Sequence, residues 1–425
     1  MRDRESGFVL LAVLVVLLGT ISLSAAGLSR SLLELTAAER FIDKQQAFQQ
    51  AEAAVDDALA TLTATPTLTL PYTMPTSTTT SSAVLGSKTY TIMDLGNRIA
   101  RITASGSSDG NVSQTIEVVV QLPASEPFQQ AIFGDAGLQV NKDTVVDSYN
   151  STLGAYTPAP ATGNRSDHAD LRTNSTDVDA VSIHQDTVIN GDVIVGAGGT
   201  PSVVINNAGT ITGDQTAAGS NLALDPITVP PGSPCGSSLT VLDGQTVTLD
   251  VGSFCHSSVS IGDGGRLILN GDGQITLGDS AATDLNIPAN ATLEITGQVT
   301  LVTEEVNLTH WLDLTGSGAK LDLYVTHSMS MEGVINTSTD PTKLLILYDG
   351  TDKLTMTKDG DFYGAIYAPN AKVEFNKDGN FYGAVVAQFF YMKKDGGFHF
   401  DEALLDTPIS SNSNDAAEIL SWRQP

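Results

Sequence analysis

Residues 6–29 contain no charged side chain, and the run FVLLAVLVVLLGTISLSAAGLS (8–29) is long enough to cross a bilayer as one helix. Arg2 and Arg4 precede it and favour a cytoplasmic position for that end. A secretory signal would pair a shorter apolar region with an A-x-A-like cleavage site. Here an amphipathic pattern follows directly, without a turn signal. Leu32, Leu35, Ala38, Ile42, Gln45, Phe48, Ala51, Val55, Leu59 and Leu62 recur at three- and four-residue steps. Gln45 interrupts that stripe, and Glu34, Glu39, Arg40, Lys44 and Glu52 lie mostly off it. Pro66 ends the pattern, so the spacing predicts a helix over about 8–64, roughly 85 Å long.

A short charged leader ending in Gly7, then Phe8, then an unbroken apolar helix resembles a type IV prepilin. The stretch AERFIDKQQAFQQAEAAVDDAL (38–59) is similar to the helix of PilX-type minor pilins. The resemblance implies cleavage between Gly7 and Phe8 by a membrane prepilin peptidase and N-methylation of Phe8. It also implies other pilins as partners through the helix, with the chain a single-pass inner-membrane protein before it enters a pilus. Major pilins carry glutamate at the fifth mature position, where this chain has Ala12. An unpaired charge in lipid is costly and is retained where a partner exists. Ala12 therefore speaks against a shaft subunit and for a tip or initiating minor pilin.

Between 66 and 82 the chain is rich in Pro and Thr and reads as an extended linker. Strand-like runs follow at Ser87–Asp94, Arg98–Ser105 and Ser113–Leu122, giving a pilin-like β-meander over 65–127. GSSDG (106–110) matches the G-x-S-x-G nucleophile pattern, but that motif needs a strand-to-helix elbow. Here it joins two strand-like runs and reads as a hairpin loop.

From about 130 onward short β-runs alternate with Gly, Asp and Asn turns. KDGDFYGAIYAPNAKVEFN (358–376) is followed by KDGNFYGAVVAQFFYMKK (377–394) and DGGFHFDEAL (395–404). A repeat near twenty residues is about one coil of a β-solenoid, in which each coil covers the apolar face of the last. The fold class is thus mainly β with one long N-terminal helix: a pilin-like helix and short antiparallel sheet, then a β-solenoid over 128–405 and a C-terminal tail over 406–425. Cys235 and Cys255 lie about one coil apart, which predicts a disulfide between neighbouring coils. The segments 131–151 and 362–375 resemble a solenoid-like domain found C-terminal to PilX-type helices, whose function is poorly defined.

The net charge of −27 repels phosphate and excludes nucleic acid as an expected partner. His168, His184, His256, His310, His327 and His399 are scattered without zinc-ligand spacing. No Walker or Rossmann fingerprint occurs, so no catalytic residue and no cofactor are expected. Asp359, Asp361, Asp378 and Asp395 would stack as an acidic ladder on successive coils. Turn residues bridged by Lys358, Lys377, Lys393 and Lys394 are the expected use. A Ca²⁺ site, which needs six to eight oxygens, and the carboxylates of a polysaccharide-active β-helix enzyme are the alternatives. Phe362, Tyr363, Phe381, Tyr382, Phe389, Phe390, Tyr391, Phe398 and Phe400 cluster in the last coils. They are expected to be core or an end cap, the alternative being an exposed row that binds a surface or glycan. The expected role is structural, a minor pilin displaying an extracellular solenoid, with an adhesin as the second reading and a β-helix enzyme as the third.

Overall fold

The computed structural model describes residues 3–64, 72–73, 77–81, 84–95, 99–109, 112–121, 127–158, 163–278, 283–309, 311–332, 335–356, 360–376, 378–393, 396–407, 409 and 418–424. The chain forms two compact units: Met1–Ala124 with Ser413–Pro425, and Ser125–Asn412.

In the first unit a single helix, α1, spans Asp3–Ala64. Its C-terminal part lies on an antiparallel sheet whose strands run, in spatial order, Tyr72–Thr73, Val84–Asp94, Ile99–Ser108, Ser113–Gln121 and Glu418–Arg423. Ser77–Ser81 also pairs with Val84–Asp94, so part of the Thr-rich stretch read as a linker is a strand. The alternation of buried and open residues along Ile99–Ser108 is strict, as a half-covered sheet requires. Ala51, Ala54, Val55, Ala58 and Leu62 bury against Tyr90, Ile102, Val118 and their neighbours. Small helix residues let the backbones approach closely. A Cβ added to Gly106 would meet the Ala47 carbonyl oxygen and the Ala51 nitrogen, each at 2.3 Å. Gly106 therefore sits inside a strand against the helix, and the pattern GSSDG reflects close packing; the turn begins only at Asp109. By contrast, Leu10 through Ile42 leave their large apolar side chains exposed, among them Leu10 at 75 % and Phe41 at 67 %.

The C-terminal segment corrects the sequence reading of a tail over 406–425. Glu418–Arg423 pairs antiparallel with Ser113–Gln121. Trp422 packs edge-on against Phe48 of α1 at 6.1 Å, and Arg423 reaches Glu117 at 2.6 Å. The second unit is thus an insertion between two adjacent strands of the first unit's sheet.

The second unit is a solenoid of parallel strands with three faces. On the first face the inward ladder includes Met331, Met356, Phe375, Met392, Val140 and Ile183. On the second it includes Leu312, Ile335, Phe362, Phe381, Phe398 and Val146. On the third it includes Leu323, Ile346, Ile366, Val385, Ile132 and Leu171. These side chains fill one continuous core. Each ladder is out of sequence order in the same way. The first coil, Ile132–Val140 and Thr144–Tyr149, lies between the last coil and the second. From there one arm winds outward to Gln215–Ala217. A connector over 218–238 then returns along the third face, and the second arm winds from Leu239–Val241 back to Gly396–Asp401. Both ends of the unit meet in mid-stack, where the Gln129 side-chain amide donates to the Leu405 carbonyl at 2.7 Å. The connector is held by hydrogen bonds spaced along the stack. Asn174 pairs with the Leu222 backbone, the Tyr367 hydroxyl donates to the Asp225 carbonyl at 2.6 Å, and the Gln274 amide donates to the Pro231 carbonyl at 3.0 Å.

Candidate functional site

The joint between the first and last coils gathers a dense set of polar side chains. Gly396–Asp401 pairs in register with Thr144–Tyr149, which places His399 beside Asp147. Asp147 is fully buried; its carboxylate meets His399 Nδ1 at 2.5 Å, Arg165 Nε at 2.8 Å and the Tyr156 hydroxyl at 2.8 Å. The Tyr156 ring stacks on His399 at 3.8 Å, and Tyr382 lies 4.8 Å from the same imidazole. Burial, reinforced by the bond to Asp147, pushes the Tyr156 hydroxyl far up, so it remains a donor.

A second group lies alongside. Glu402 Oε1 accepts from Ser148 at 2.9 Å, from Ser166, and contacts His168 Nδ1 at 3.0 Å. Burial alone would raise the Glu402 carboxyl, but the bonds from Ser166, Ser148 and His168 outweigh it and hold it below the usual carboxylate range. Serine, histidine and glutamate side by side suggest a nucleophile relay, but the directions are wrong for one. A nucleophilic serine needs its hydroxyl on a base nitrogen. Here both hydroxyls meet the carboxylate, and the His168 backbone N–H donates to Ser148 Oγ at 2.9 Å. What this arrangement does is hold segments more than two hundred residues apart in sequence in one register.

The expected site residues are placed as follows. Gly7 and Phe8 lie within the backbone span of α1, and their side chains are outside the described residues. Asp359 and Asp395 are also outside the described residues, as is His310. Asp361 Oδ1 accepts from the Asn380 backbone N–H at 2.9 Å, and Asn380 Oδ1 in turn accepts from the Gly397 N–H at 2.9 Å. This is a cross-coil staple, and the same device recurs at Asp170, Asp192 and Asp214. Asp378 is exposed. Among the described residues no group of three or more His, Cys, Asp or Glu has the arrangement to hold a metal ion. Cys235 and Cys255 are brought together, with Cα atoms 5.0 Å apart, where the connector reaches the first coil of the second arm. The aromatic row divides by face: Phe362, Phe381, Phe390, Phe398 and Phe400 are buried, whereas Tyr363, Tyr382, Phe389 and Tyr391 point outward and are half-buried.

The polar joint was missed in the sequence because its members belong to opposite ends of the insertion. A family model described as a domain of unknown function, DUF7305, matches residues 232–407. That span is the end of the connector plus the second arm. No curated protein matches the chain. Among solved structures, a competence-associated pilin, ComZ from Thermus thermophilus, aligns at 12 % identity over 90 % of this chain and 97 % of that one. Its TM-score of 0.31 is too low to carry a fold argument.

Proposed function

We propose that the chain is a pilin-like structural subunit of a type IV pilus or related filament, of the PilX-type minor class, carrying its solenoid as a displayed module. The observation that carries this reading is the contrast along α1. Residues 10–42 leave their apolar side chains bare, the uncharged part up to Ser29 suited to a bilayer and the rest to neighbouring helices, while 47–62 are covered by the chain's own sheet. The helix has the length and composition to cross a membrane. The leader adds Gly7 and Phe8 at the position a prepilin peptidase cuts. Ala12 supports a place at the tip or in an initiation complex, because no carboxylate is offered there to a neighbour's N-terminal amine. The role is packing and display, with no bond-making step.

Co-expression with a prepilin peptidase tests the reading by mass spectrometry of the purified chain. The expected product begins at Phe8 and carries one methyl group. Gly7→Val is expected to leave the leader attached. Cleavage elsewhere, or cleavage that persists in the Gly7→Val chain, overturns it.

A further inference from the structure

The outward side of the first solenoid face carries one registered row of side chains. It starts at Thr240 on the rim of the second arm and passes through Asn286, Asn307, Ser330, Thr355, Glu374 and Tyr391. It continues across the mid-stack joint through Gln139 and Ser182 to Asn206 on the rim of the first arm. Adjacent strands stand about 4.8 Å apart, so the row runs roughly 45–50 Å along the stack. Every member offers a hydroxyl or amide except Glu374. Its carboxylate meets Lys353 at 2.5 Å and Lys372 at 3.6 Å. Burial alone would raise that carboxyl, but the two lysines outweigh it and keep it ionised and paired.

The other two faces differ. The third face is overlaid by the connector, whose Leu222, Leu224, Ile227 and Val229 pack on the core. Outward positions of the second face carry ion pairs, Arg266 with Glu294 at 2.8 Å and Asp147 with Arg165, and the segment bearing Tyr156 covers part of it. On the first face the row is open: Thr240, Ser330 and Asn206 are exposed, and its other members are partly so apart from Glu374. A strip this long with a single carboxylate, itself paired with lysines, is out of keeping with a chain of net charge −27. Solubility favours charge on an open face.

We propose that this row is a binding surface for an extended, uncharged β-linked polysaccharide lying along the stack. The strand spacing is close to the rise of one sugar residue in such a chain, so successive coils can present a donor or acceptor to successive sugars. Tyr391 and Phe389 add aromatic surface at the centre, where Lys372 lies 4.7 Å from the Tyr391 ring centre. The scarcity of charge along the row matches an uncharged polymer, while the acidic remainder of the chain disfavours a polyanion. The competing account is that the row only ties coils together, as Asn ladders do. Asn307 Nδ2 does donate to Asn286 Oδ1 at 2.8 Å, but most of the row makes no such link among the hydrogen bonds of the described residues. The proposal adds a ligand to the display role and does not depend on leader processing.

The test uses the full chain in detergent micelles, sedimented with insoluble cellulose or chitin, with cross-linked, insoluble polygalacturonate as the charged comparison. Asn286→Lys on one arm and Ser182→Lys on the other each set a long charged side chain across the row. Sedimentation with a neutral polymer is expected, and each variant is expected to weaken it at least tenfold with an unchanged melting transition. Two separate sites keep the test decisive if one variant fails to fold. Absence of binding to both neutral polymers overturns the proposal. So does full binding by a folded variant, or stronger binding to polygalacturonate.

Discussion

Asp401 shows how a single residue of the joint trades stability against position. It is fully buried, and its Oδ1 accepts from the Ser151 and Ala403 backbone N–H groups at 2.9 and 3.1 Å. Its Oδ2 has no hydrogen-bond partner among the described residues. Burial pushes the carboxyl above its usual range against the pull of those two bonds. A raised acid favours the fold while protonated. That contribution is fully present below the unfolded carboxyl value and is lost as pH rises through the raised folded value. Asp401→Asn keeps the Oδ1 acceptor and removes the buried charge. It is expected to stabilise the chain at neutral pH by about 1–2 kcal/mol. The gain should shrink towards zero as pH falls below the ordinary carboxylate range. Melting curves of both chains at neutral and acid pH check this; an equal gap at both pH values contradicts it.

Among the elements, the connector is one that local pattern could not assign. Its residues 218–238 lack the alternation of a coil, yet they carry Leu222, Leu224, Ile227 and Val229 onto the core. Cys235 and Cys255 hold its far end where it enters the second arm. At a sequence separation of 20, a disulfide is expected to contribute about 3 kcal/mol by restricting the unfolded chain. Intact mass after alkylation, with and without reductant, checks the bond: no label without reductant is expected, and two labels would refute it. Cys235→Ser is expected to lower the melting temperature and to speed hydrogen exchange in the strands of the first coil of the second arm, Leu239–Val241 and Thr246–Asp250.

At the scale of the whole molecule the solenoid is one stack made by two arms that grow from its middle. The strands that complete the last coil come from the first coil, so neither arm has a finished core alone. A fragment limited to 232–407 would leave Val385, Phe390 and Phe398 without their covering coil. Each such side chain loses about 1.5–3 kcal/mol when exposed. That fragment is expected to bind a hydrophobic dye and to aggregate, while 125–412 is expected to be monodisperse on size exclusion. A monodisperse, dye-negative 232–407 fragment would show that the joint is not needed to finish the core. Beyond the solenoid the chain adds Glu418–Arg423 to the sheet of the first unit, where Trp422 reaches Phe48.

Much of this was written in local pattern. The uncharged run at 6–29 and the stripe after it specify a long helix, because periodicity and length act within one segment. The steps between KDGDF, KDGNF and DGGF specify stacked coils, and Phe362, Phe381 and Phe398 do pair in register. The aromatic row expected as core or cap divides instead by face, with Phe390 in the core and Tyr391 at the surface. What alternation leaves open is which coil covers which, since any apolar rung satisfies its neighbour equally well. Only the tertiary structure sets the last coil on the first, turns the apparent tail into a sheet strand, and brings His399 to Asp147. Those contacts join residues some 250 positions apart. No local propensity encodes them, because their free energy exists only after the arms have folded and met.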